Sequence, residues 1–228
     1  TLDFNGSLSG DAGTESLTIV SVTDLTFAAA VHDLDTLAVQ TADTITFEST
    51  LDSITTLDLT ATDTITFEST LDDITTVDLT ATTTRFEGDL TGLGGLTVAG
   101  TTRFATASAA VATAEFTGAV VLEADLELTA SGTLDFNGSL SGDAGTESLT
   151  IVSVTDLTFA AAVQDLATLE VQTADTITFE STLASLATLD LTATDAITFE
   201  STLDDITTLD LTATTTRFEG DLTGLGGL

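Results

Sequence analysis

Carboxylates are this chain's main chemical resource. Its 228 residues carry 37 aspartates and glutamates against three arginines and one histidine, with no cysteine, for a formal charge of −34. Two chemistries suit such a set. A pair of carboxyl groups is enough for glycoside hydrolysis, one as acid and one as base or nucleophile. Clustered carboxylates and backbone carbonyls can instead supply the several hard oxygen ligands that calcium takes. The best local candidate for calcium is the bend SGDAGTE, which occurs twice and offers Asp11 and Glu15, then Asp143 and Glu147. Calcium is the cofactor these residues suggest, although the glycine-rich nonapeptide of dedicated calcium-binding repeats is missing. Catalysis has weaker support. The single histidine, His32, corresponds to Gln164 in a second copy of the same sequence, a poor record for a catalytic base. A catalytic cleft should also interrupt a repeat at one place, and this repeat is copied almost intact. The sequence therefore predicts a protein that is not an enzyme.

The charged residues follow a spacing. Each arginine directly precedes a phenylalanine: Arg85, Arg103 and Arg217. Elsewhere that place holds Thr26, Thr46, Thr66, Thr158, Thr178 and Thr198, and it continues through Glu115 and Asp135. If residues between them loop out, Arg85 is expected to lie one coil from Glu115 and form a surface ion pair worth about 0–1 kcal/mol. Glu48, Glu68 and Glu87 follow successive phenylalanines, as do Glu180, Glu200 and Glu219. Asp58 should stack on Asp78, and Asp190 on Asp210. Like charges about 5 Å apart cost roughly 0.8 kcal/mol per pair in water before screening. Solvation in salt or bridging by calcium would relieve them.

The elements that position these residues come from two levels of repeat. Residues 1–96 recur as 133–228 with eight differences. Within each copy, Phe4, Phe27, Phe47, Phe67, Phe86, Phe116, Phe136, Phe159, Phe179, Phe199 and Phe218 return about every 20 residues, the mark of a chain wound into coils. Leu57 and Leu59 alternate with Asp58, and Ile65 and Phe67 with Thr66, which is the period of a strand with one buried face. Leu71 and Ile74 make a third apolar side. The expected fold is all-β: a roughly triangular, right-handed parallel β-solenoid with about 20 residues per coil. Residues 1–228 form one continuous solenoid segment, in which 1–132 is a long repeat of six coils and 133–228 a partial second copy. Phe104 lies off the grid, inside a 30-residue gap. There the small-residue stretch 105–115 is expected to leave the coil as an insertion, a loop or a lateral contact between solenoids.

The repeated LxLxT…xIxFxxxL coil, rich in Thr, Gly, Ala and Asp, resembles the β-helical shafts of large bacterial secreted surface proteins. These are the filamentous-haemagglutinin-like exoproteins, autotransporter passengers and giant adhesins. The resemblance covers essentially the whole chain and is one of pattern. It implies an extracellular, cell-surface role as a rigid fibre, stalk or matrix filament, with an adhesin module binding glycan or another cell through 105–115 as the alternative. Strong negative charge repels nucleic acid phosphates, so no nucleic acid partner is expected, and no apolar run is long enough for a membrane helix. The chain lacks methionine and reads as an internal segment. Leu228 corresponds to Leu96, after which the first copy continues, so self-association is expected either end-to-end at an uncapped edge or laterally.

Overall fold

Alternation along Leu57–Asp58–Leu59 and Ile65–Thr66–Phe67 makes strands with one apolar face, and the other sides of the coil close over that face while successive coils stack edge to edge. The computed structural model describes residues 1–11 and 14–226. Two expectations therefore touch residues outside the described ones: the edge at Leu228, and the middle of the first SGDAGTE bend. Among the described residues there are twenty strands and no helix, and every strand pairing is parallel. Pairing runs from each coil to the next in near-perfect register: Leu37 on Leu57, Ile45 on Ile65, Phe47 on Phe67. Hairpins, and with them a sandwich or barrel, are excluded by that register.

Each turn has three sides. We number them in chain order from the side of Phe4: face one holds residues such as Ile45–Phe47, face two Leu51–Ile54, face three Leu57–Leu59. Strands such as Val31–Phe47 and Leu51–Phe67 run through the corners between faces. The inner residues form one hydrophobic core that extends from Ile19 to Leu209. The corner within face two is sharp and demands left-handed backbone. Asp33, Ser53 and Asp73 take φ of 57°, 55° and 49°, and Gly92 continues the column at 64°. Asp and Gly populate this region at less cost than other residues.

The aromatic column does not climb one side. Phe4, Phe27, Phe47, Phe67, Phe86 and Phe104 stack on face one with ring centroids 4.8–5.3 Å apart. Phe104 is thus a regular member of the column, not an outlier. Above it in register sits Leu122, not a phenylalanine. Phe116 instead lies on face three, over Val98, and meets Phe104 edge-on at 5.7 Å. From Phe116 a second column rises through Phe136, Phe159, Phe179, Phe199 and Phe218, with centroids 4.8–5.2 Å apart.

Two expectations are corrected by this geometry. Residues 105–115 are not an insertion. Ser108–Phe116 is a strand of the wall, paired to Leu90–Phe104 below and to Leu126–Ala130 and Leu134–Phe136 above. Nor does the long repeat span six coils. From Phe4, the face-one column passes through six turns to Leu122, and Phe136 lies two faces further on. The 132-residue repeat therefore advances six and two-thirds turns, and the second copy is rotated by one face. The physical cause is local. Coils Phe86–Phe104 and Phe104–Leu122 hold 18 residues, and glycine allows the tightening. A Cβ on Gly100, whose φ is +96°, would fall 1.8 Å from the carbonyl oxygen of Ala81.

Candidate functional site

Two of the chain's three arginines lie where the aromatic column changes face. Arg85 and Arg103 are register partners in adjacent coils, both projecting outward beside their phenylalanines. Glu123, just after Leu122, lies between them. Arg85 donates to Glu123 Oε2 from Nε at 3.0 Å and from Nη2 at 2.7 Å, and it also pairs with Glu87. Arg103 donates to Glu123 Oε1, and its Nη2 reaches Asp143 Oδ1 at 3.0 Å. The Glu123 side chain is only 18% exposed. Hydrogen bonds from Arg85, and then Arg103, outweigh its burial and hold its carboxyl below the usual range. The same bond from Glu123 raises the Arg103 guanidinium further. The cluster spans four coils, from Glu87 in the first long repeat to Asp143 in the second.

Arg85 does not pair with Glu115, contrary to expectation. Glu115 lies over Thr97 on face three and accepts from Asn137 Nδ2 at 2.9 Å. The reason is the same as for residues 105–115: Phe116 stands on face three over Val98, not on the column of Phe86. Sequence held a signal of this. Thr83-Thr84-Arg85-Phe86 recurs as Thr101-Thr102-Arg103-Phe104 only 18 residues on, which marks a short coil. Arg217, the copy of Arg85, pairs with Glu219 at 3.0 Å.

The calcium candidates are engaged otherwise. Glu15 Oε2 accepts the amides of Asp11 and Thr14 at 2.8 and 3.3 Å. Glu147 Oε2 accepts those of Ala144 and Thr146, both at 3.1 Å, while Thr146 Oγ1 donates to Oε1. In both bends burial pushes the carboxyl up, but the amide bonds together outweigh it and bring the group below its ordinary value. These glutamates tie the bend to itself, and Asp143 is taken by Arg103. Among the described residues, no group of three or more Asp, Glu or His is placed to hold a metal.

The acidic columns form as expected: Asp58 on Asp78, and Glu170, Asp190 and Asp210 in sequence. Asp190 titrates high because of partial burial, with Asp210 and Glu170 adding to it. His32 stacks beneath Asp52 and bonds Asp33 at 2.8 Å. Among the described residues, an open groove of about 570 Å³ runs along the left-handed corner of the second copy. Its lining includes Ala167, Leu186 and Ala187, where the first copy has Asp35, Ile54 and Thr55.

Among the described residues, two polar atoms buried in the wall lack partners. Thr84 and Thr102 are fully buried on face one between Ile65 and Val120, and neither hydroxyl has a hydrogen bond. The arrangement as a whole can bind coil to coil by charge. It defines a three-sided parallel β-solenoid with an ionic junction between its long repeats. No family model, curated protein or solved structure matches the chain.

Proposed function

We propose that the chain is a segment of a rigid extracellular shaft, a fibre, stalk or matrix filament whose work is mechanical rather than catalytic. One observation carries this reading: a single apolar core and a single parallel hydrogen-bonded wall run without a break through both copies of the long repeat. In a solenoid each coil is stabilised by its neighbours alone, so length can be added by duplication without redesign. The near-identity of the two copies is what such growth leaves behind. High negative charge keeps rods apart in solution, and the pattern resemblance to secreted bacterial shafts supports a site of action outside the cell. Self-association through ends or sides belongs to the same proposal. Among the described residues, no helix is long and apolar enough to cross a membrane.

The adhesin alternative relied on residues 105–115 projecting from the rod. Those residues include most of a wall strand, so nothing favours that reading. Fractionating the producing cells, then imaging the full-length protein by electron microscopy, tests the shaft. Straight rods on the surface or in the medium are expected. A protein confined to the cell interior would overturn the proposal.

A further inference from the structure

Both asparagines of the chain, Asn5 and Asn137, open the same tripeptide, Asn-Gly-Ser. A hydroxyl residue two places after asparagine is the acceptor pattern for N-linked sugar in secreted chains. We propose that Asn5 and Asn137 are N-glycosylation sites, and that the shift of face sets their sugars on different sides of the rod. The inference rests on the extracellular reading.

Each tripeptide forms the corner immediately after a phenylalanine strand. At Asn137 the corner's backbone is fixed to its neighbours: the Asn137 amide donates to Phe116 O at 2.9 Å, and Ser139 O accepts from Val120 N at 2.7 Å. The side chains are left outside. Asn5 and Asn137 are both exposed, and Ser139 is half-buried. Glycine between them is required at the second site, where a Cβ on Gly138 would come within 2.1 Å of Gly118 O. The corner thus hugs the coil beneath while the amide faces solvent. Asn137 Nδ2 makes one bond, to Glu115, and its second N–H points to no acceptor among the described residues. Substitution on nitrogen replaces one N–H and leaves one.

The transfer is a simple displacement. Asn Nδ2 attacks the anomeric carbon of a glycosyl donor activated through phosphate. The carbon–oxygen bond to phosphate breaks, the nitrogen–carbon bond forms, and one Nδ2 proton passes to a base of the transferring enzyme. No electrons change hands. Asn5 stands after face one and Asn137 after face three. At about 4.8 Å per coil, six and two-thirds coils separate them by roughly 32 Å along the axis and a third of a turn around it. Sugars so placed wind around the rod and shield it on more than one side.

The test is peptide mass mapping of the protein purified from the surface fraction of the cells that make it. Sugar is expected on both asparagines. Ser7→Ala should remove it from Asn5 alone, and Ser139→Ala from Asn137 alone; both leave the asparagines and the core untouched. Surface protein with both asparagines bare would overturn this inference and leave the shaft standing. Sugar that persists in the Ser7→Ala, Ser139→Ala double variant would overturn the assigned sites. Bare protein confined to the cell interior would sink both readings.

Discussion

Thr84 and Thr102 occupy the column filled elsewhere by Ile45, Ile65 and Val120, yet neither hydroxyl finds a partner. An unpaired buried hydroxyl costs about 1–3 kcal/mol, and valine has nearly the same shape. Thr84→Val with Thr102→Val should therefore raise stability by about 2 kcal/mol, read as a higher denaturant midpoint. At the junction the sign is opposite. Glu123→Ala removes the carboxylate that Arg85 and Arg103 share, leaving each with one partner, Glu87 or Asp143, and should cost about 2 kcal/mol. Because the Glu123 carboxyl is depressed in the fold, its contribution is complete above the ordinary carboxylate range and is lost as pH falls through its folded value. Stability of the parent should thus fall faster on acidification than that of Glu123→Ala. Asp190 behaves conversely, since its folded value is raised. Its penalty is absent at low pH and fully developed once pH exceeds that value. Asp190→Asn should stabilise by roughly 0.5 kcal/mol at neutral pH, with the gain vanishing in acid melts.

At the scale of the coil, the left-handed column is the part most open to manipulation. Ser53 sits at φ 55° between Asp33 and Asp73. Ser53→Gly should be neutral or stabilising by up to about 1 kcal/mol, whereas Ser53→Val should destabilise by about 1–2 kcal/mol; thermal melts of the two variants check the order. The strands themselves were legible because Leu-x-Leu and Ile-x-Phe alternation survives in nearly every coil. Register was legible because corresponding residues of successive coils have the same type. The junction was not. Phenylalanine served as the ruler, and the ruler changes sides at Phe104. Residues 105–115 looked foreign because their inward positions are filled by Ala109, Val111 and Ala114 instead of leucines. Small residues fit there because the coil is short. The charge cluster followed the same error, since Glu123 approaches Arg85 only when Leu122 lies over Phe104.

For the whole molecule, twelve strands on face one leave eleven spacings, so the rod should be about 53 Å long. Small-angle scattering in salt should give a cylinder of that length, and aligned specimens should give a reflection near 4.8 Å along the axis. A sphere-like profile would contradict the stacked geometry. The net charge of −34 predicts that rods repel one another at low ionic strength and lose that repulsion as the Debye length shrinks.

The handing of the aromatic column from face one to face three has a mechanical consequence. A rod with one spine of stacked rings has one side that differs from the other two in stiffness and preferred coil height, so it should bow. Changing sides every long repeat turns the direction of the bow by a third of a circle. If the repeat continues, three units and twenty turns bring the spine back to its starting side, about 96 Å along at about 4.8 Å per turn. Over that distance the bends would cancel, so an array of such repeats should run straight by averaging its own asymmetry.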